Sequence, residues 1–184
     1  MCATIETMSY QPKKILSASF FNRSALIVAR DLLGKYLVKK NKGKIHAYKI
    51  TEVEAYCGPN DKASHAHKGR TARNETMYAP SGILYVYFVY GMHHMLNVVT
   101  GKKNFPSAVL IRGVEKISGP GRLTKALGIT KKENNILAHP KKGTLWFEDR
   151  GEKILKKNIR RTARIGISYA KEWKDKPYRF LLIK

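Results

Sequence analysis

The chain has 184 residues and a hydrophobic fraction of 43%, which suits one compact domain, taken over 1–184, with an ordinary core. Its 36 Lys and Arg face only 13 Asp and Glu, a formal net charge of +23, and an excess of that size predicts a polyanionic partner, nucleic acid being the usual one. No apolar run approaches membrane-spanning length and the opening segment lacks a secretion core. The two cysteines, Cys2 and Cys57, point to a reducing compartment without a structural disulfide, so the expectation is a soluble intracellular monomer with no membrane partner.

Residues 1–17 read as a partly flexible leader. From Phe20 to Leu33 the apolar residues fall at helical spacing, with Gly34 as the stop. Lys35 to Lys40 and Lys44 to Tyr56 read as two strands around the turn Asn41-Lys42-Gly43. Cys57 to Ser81 is polar and rich in Gly and charge, a long loop with one short helix expected near Asp61 to His67. A loop of that length in a compact domain is usually functional or disordered. Ile83 to Tyr90, dense in aromatic and β-branched residues, reads as a strand. Gly91 allows a sharp turn, and Met95 to Thr100 returns antiparallel. Val109 to Glu115 is a further strand, and Gly119 to Gly128 holds a short helix closed by Gly128. Thr144 to Glu148 and Arg179 to Ile183 read as further strands, and the basic stretch Lys131 to Lys157 as a surface excursion. The sum is an α+β domain: a curved, largely antiparallel sheet with short flanking helices.

Three features carry chemical content. Acidic residues are scarce, so Glu54 inside the apolar strand ITEVEAY stands out, with Glu52 on the same face by period-two alternation. Such a carboxylate can orient and deprotonate water; a strand-end Glu paired with Lys or Arg is the plainer reading of this fragment. Half of the chain's ten tyrosines fall between Tyr56 and Tyr90, and Tyr85 and Tyr87 share a strand face. Flat rings can hold an unpaired base or pack into their own core, and the fragment leaves both open. His65, His67, His93 and His94 lack the companions of a zinc motif, so no metal site is expected. No phosphate-loop or dinucleotide fingerprint occurs, and no cofactor is expected.

The ordered segments TEVEAYCGPNDKASHAHKGRTARNETMY, GILYVYFVYGMHHMLNVVT, AVLIRGVE, GPGRLTKALGI and RIGISYAKEW closely resemble the alkyladenine (3-methyladenine) DNA glycosylase family, from about Phe20 onward. The resemblance implies a monofunctional enzyme of base excision repair that acts on damaged double-stranded DNA, in the nucleoid of a bacterium or the nucleus of a eukaryote. It implies that Glu54 is the general base and that Arg112 and the main-chain carbonyl of Ile165 help to hold the nucleophilic water. Tyr56 on one side, with His65 and Tyr87 on the other, would sandwich the flipped base, and Asn97 would exclude the guanine amine. A DNA-inserting β-hairpin would present Tyr90 as the plug, with Met92 and His93 at the minor groove. His93 stands where an animal relative has an aromatic, so DNA affinity and substrate range are expected to differ. Two rival readings remain, a non-catalytic basic nucleic-acid binder and a glycosylase that also cuts the backbone through a lysine amine.

Overall fold

The computed structural model describes residues 13–89 and 91–183. The helical pattern beginning at Phe20 is realised as two helices, α1 (Ala18–Phe21) and α2 (Ala25–Leu32). They break at residues 22–24, where the Asn22 N–H turns back to the Ala18 carbonyl and Arg23 Nε donates to the Phe20 carbonyl at 2.7 Å. A side chain that satisfies a terminal carbonyl in this way ends a helix where propensity alone would continue it. The third helix, α3 (Pro120–Leu127), has Pro at its first position and closes on Gly128 at φ 61, the usual N-terminal Pro and C-terminal Gly pairing.

Among the described residues ten strands form one sheet: β1 (Lys14–Ile15), β2 (Tyr36–Asn41), β3 (Lys44–Cys57), β4 (Leu84–Val89), β5 (His93–Val99), β6 (Ser107–Val114), β7 (Ile117–Ser118), β8 (Leu145–Asp149), β9 (Ile159–Thr162) and β10 (Arg179–Leu182). The main path runs β1-β8-β2-β3-β6-β5-β4, with β10 joined to β3 and β9, and β7 joined to β6. All of these pairings are antiparallel. The fold is therefore the expected α+β arrangement around a largely antiparallel sheet.

Strand β3 is the axis. Its first half, Lys44–Lys49, pairs with β2. Beyond an irregularity between Ile50 and Val53 it pairs with β6, while Glu52 to Glu54 also pair with β10 on the other side. The segment carrying Glu54 thus has a strand on each side, and its backbone is fully committed to the sheet.

Alternation along four strands divides their residues between two faces. Val53 and Ala55, Leu84 and Val86, Leu96 and Val98, Val109 and Ile111 all enter the main core with α2 and α3. Their neighbours in sequence, Tyr56, Tyr85, Tyr87, Met95, Asn97, Leu110 and Arg112, line a cavity on the opposite face. A slip of one residue in any of these strands would exchange the two sets.

Two expectations need correction. The stretch from Lys131 to Lys157 is not a surface excursion, because its middle forms β8, inserted between β1 and β2 with Leu145, Trp146 and Phe147 buried. Basic flanks conceal the buried strand, and lysines at its ends weigh more in composition than five residues of core. The short helix of the long loop is a single 3₁₀ turn at Glu75–Tyr78. Near Asp61 to His67 there are successive turns instead, organised by the Asp61 carboxylate, which accepts the Ala63 N–H at 3.1 Å, a local competition with helix that Asp commonly wins.

Phe147 has no exposed surface and its ring lies 5.4 Å from that of Phe21. Phe147→Ala should lower unfolding free energy by about 3–5 kcal/mol through lost burial and a residual cavity, read from urea denaturation. A loss below about 0.5 kcal/mol, the ordinary range for a surface change, would return this stretch to the surface.

Candidate functional site

The cavity on the polar face of the sheet encloses about 590 Å³. Its floor comes from β3, β4, β5 and β6. The long loop between β3 and β4 contributes Ala63, His65, Arg73 and Met77, and the segment after β9 contributes Ile165, Gly166, Ile167 and Tyr169. A largely apolar, aromatic concavity with a few converging polar groups is the usual form of a ligand site.

Glu54 lies beneath this lining with no exposed surface. Oε1 accepts the Ile165 backbone N–H at 2.8 Å and lies 3.4 Å from Arg112 Nη1; Oε2 accepts the Tyr56 hydroxyl at 3.0 Å. Burial holds this carboxyl above the usual carboxylate range, opposed by the charge of Arg112, the Ile165 N–H and the Tyr56 hydroxyl. Arg112 is itself tethered, Nε to Glu52 Oε1 at 2.8 Å, and the same oxygen accepts Arg179 Nε at 2.7 Å. Glu54 is thus paired with a cation, as the plainer reading has it, but it is also fully buried behind the cavity lining and held by two neutral donors, while Glu52 takes two arginines of its own.

Burial, with the nearby Glu54 charge, pushes the Tyr56 hydroxyl well above its ordinary value, so it remains a protonated donor at neutral pH. Across the cavity, the His65 ring meets Tyr87 edge to face at 4.5 Å, and His65 Nδ1 lies 3.1 Å from the Tyr85 hydroxyl. Burial, helped by Arg73, lowers the His65 pKa, so this wall is a neutral ring at neutral pH. Asn97 is buried, and its amide donates to the main-chain carbonyls of Tyr85 at 3.1 Å and Met95 at 3.2 Å. One bond crosses to β4 and the other stays within β5, and together they fix the amide at the cavity wall. Glu54, Tyr56, His65, Tyr87, Asn97, Arg112 and Ile165 therefore converge on one cavity.

The hairpin residues lie at its edge. Tyr90 falls outside the described residues. Gly91 has φ 66, a conformation that favours Gly, and Met92 is 68% exposed. His93 is not free: a Cβ added at Gly121 would come within 2.8 Å of its ring, so the imidazole rests on the first turn of α3. Among the described residues no group of three or more His, Cys, Asp or Glu side chains could hold a metal ion.

Sequence reasoning passed over Arg164 and Asp61, whose side chains have no exposed surface and which pair at 2.6 Å. The signal was available, since the scarcity of acidic residues that singled out Glu54 applies equally to Asp61. It also passed over Tyr169, 64% exposed at the cavity rim.

The model of the family described as Methylpurine-DNA glycosylase (MPG) matches residues 19–118 and 115–184. Similar proteins include one from Myxococcus xanthus, 42% identical over 89% of this chain and 88% of its own. Another, from Methanocella arvoryzae, is 43% identical over 90% of this chain and 91% of its own. A third, from Clostridium botulinum, is 39% identical over 91% and 95% respectively. All three carry the name "Putative 3-methyladenine DNA glycosylase".

The donor on Glu54 Oε2 yields a test that needs no substrate. A hydrogen bond to a carboxylate favours its charged form. Tyr56→Phe should therefore raise the Glu54 pKa further, so that ionisation requires higher pH than in the parent protein. NMR titration of carbon-13-labelled glutamate reads this directly, and a carboxyl titrating at the same or lower pH would contradict the geometry.

Proposed function

The chain belongs to the methylpurine-DNA glycosylase family, and from that membership we propose that it excises alkylated or deaminated purines of the 3-methyladenine type from duplex DNA, flipping the base into the cavity beside Glu54 and leaving the DNA backbone uncut. The observation that carries the reading is the buried Glu54 carboxylate, held by the Ile165 N–H, Tyr56 and Arg112 directly beneath an aromatic cavity. A non-catalytic DNA binder has no use for such an anion.

A base within a duplex hides its glycosidic bond, so the nucleotide must be extruded, at a cost of a few kcal/mol that is least for damaged or mispaired bases. The net charge of +23 supplies phosphate contacts that offset the remainder. Tyr56 packs on one face of the purine and His65 and Tyr87 on the other, where a cationic alkylated purine is favoured by the ring quadrupoles. Asn97, fixed by its two main-chain bonds, meets the exocyclic group of guanine and excludes it. Water enters between Arg112 and Ile165, which both line the cavity and both reach Glu54 Oε1. The Ile165 N–H is engaged with Glu54, which leaves its carbonyl for the water. Glu54 takes the proton as the water oxygen bonds to the sugar carbon, and the carbon–nitrogen electron pair departs with the base. The anion also stabilises the oxocarbenium-like transition state.

Glu54→Gln keeps the shape and removes both base and anion. Lesion-DNA binding should persist while single-turnover excision falls about 10²–10⁴-fold, the usual worth of general-base help. Near-parental excision by this variant would refute the role of Glu54. In the parent reaction the product strand should stay intact until treated with alkali; a nicked strand without alkali would favour a backbone-cutting enzyme.

Tyr90, between Val89 and Gly91 in sequence, is assigned to fill the stack vacated by the flipped nucleotide, as apolar wedges do in minor-groove binders. Met92 and His93 accompany it at the minor groove. Stacked rings are worth about 1–3 kcal/mol by alanine substitution, so Tyr90→Ala should reduce the flipped population roughly ten- to a hundredfold. The fluorescence of a flipped ethenoadenine reports that population, and equal flipping by parent and variant would remove Tyr90 from this role.

A further inference from the structure

Arg164 does not line the cavity, yet it lies against Tyr56 and directly precedes Ile165, two of the residues that hold Glu54. Its guanidinium forms a two-pronged pair with Asp61, Nη1 to Oδ2 at 2.6 Å and Nη2 to Oδ1 at 2.8 Å. Nη1 also donates to the Ala55 carbonyl at 2.8 Å, and the cation lies 4.8 Å from the centre of the Tyr56 ring. The Asp61 carboxylate in turn accepts the Cys57 N–H at 3.0 Å. Tyr56 is therefore fixed three times by one ion pair: through its ring, through the carbonyl before it and through the amide after it. The next residue after Arg164 is Ile165, whose N–H holds Glu54 Oε1. Both neutral donors to the Glu54 carboxylate thus depend on the same cation.

Stability does not account for such a pair. Both side chains have no exposed surface, and a buried ion pair often does no better than apolar residues of similar volume. Arg164 Nε is also buried without a partner, a further desolvation cost. What the pair supplies is geometry, since a bidentate Arg–carboxylate fork fixes orientation as well as distance. We propose that the Arg164–Asp61 pair is a positioning device for Glu54, holding Tyr56 and the Ile165 N–H where they donate to its carboxylate.

The proposal rests on the reading of Glu54 as the general base only for its kinetic arm. Four side chains bear on the Glu54 carboxyl, Tyr56 on β3, Tyr87 on β4, Arg112 on β6 and Arg164, together with the Ile165 N–H; Glu52 on β3 and Arg179 on β10 stand behind Arg112. The charge of Arg164 lowers the Glu54 pKa and so favours the ionised form. Three variants separate the effects. Arg164→Met removes the charge and the fork. The double variant Asp61→Leu with Arg164→Met removes both partners and leaves no unpaired buried charge, so it keeps the fold if the single change does not.

In the double variant the Glu54 carboxyl should titrate at higher pH than in the parent, read by NMR of labelled glutamate in DNA-free protein. Single-turnover excision of a methylated purine should fall at least tenfold, with lesion-DNA affinity within threefold of the parent and the acid limb of the pH–rate profile displaced upward. Arg164→Lys, which retains the charge without the fork, should still lose rate and move the acid limb upward, because the displaced Tyr56 and Ile165 donors no longer favour the ionised carboxylate; a parental acid limb in this variant would reduce the role of Arg164 to its charge. A folded double variant with parental Glu54 titration and excision would overturn the proposal. If Glu54→Gln also excised normally, the general-base reading would fall separately, whereas the titration arm would still decide the positioning role.

Discussion

The whole site is built around the need to keep charged a carboxylate that has no exposed surface. Moving such a group out of water is penalised severely unless it is paired and hydrogen-bonded. Glu54 meets that condition through a row of alternating charge. Arg179 bonds Glu52, Glu52 bonds Arg112, Arg112 approaches Glu54, and on the far side of Tyr56 lies Arg164 with Asp61. Three anions and three cations make the row neutral inside a chain of net charge +23. Against that background of surplus cations, the three carboxylates are placed where they matter and the excess is left to the surface.

The sheet makes the row possible. Charged groups on β3, β6 and β10 come together because these strands are hydrogen-bonded neighbours, with Arg179 opposite Glu54 and Leu110 opposite it on the other side. The same alternation that sends Val53 and Ala55 into the core raises Glu52, Glu54 and Tyr56 to the other face. Core and site are therefore specified by one register. Packing errors that shift a strand would expose the core residues and bury the charges together, which gives the native register a large energetic margin.

Much of this was legible in the sequence, and the reasons differ from residue to residue. The alternation of β4, Leu84 to Val89, is strong because aromatic and apolar positions both repeat at period two. Pro120 and Gly128 mark α3 by backbone chemistry alone. The break between α1 and α2 was hidden, because it depends on the Arg23 side chain reaching the Phe20 carbonyl. Strand β8 was legible as Thr144 to Glu148, but the lysines around it masked its place in the core, and the two-residue strand β1 exists only through its pairing with β8. In the site, Glu54 and the tyrosines stood out by type and place. The assignment of Tyr56, His65, Tyr87, Asn97, Arg112 and Ile165 to one cavity came from resemblance, since no periodicity connects β3 to a segment more than a hundred residues later. The pairing of Arg164 with Asp61 was out of reach for that same reason, although Asp61 carried the same mark of scarcity as Glu54.

The pairing of β10 with β3 bears on the order in which the molecule is completed. Arg179 meets Glu52 across 127 positions of chain, and contacts of such separation form late because loop closure must precede any gain from them. During synthesis, β3 to β6 can associate long before β10 emerges from the ribosome. Throughout that interval Glu52 has only Arg112 to neutralise it. A nascent chain can thus hold a shaped pocket whose charges are not yet balanced, and competence for chemistry arrives with the last strand rather than with the cavity itself.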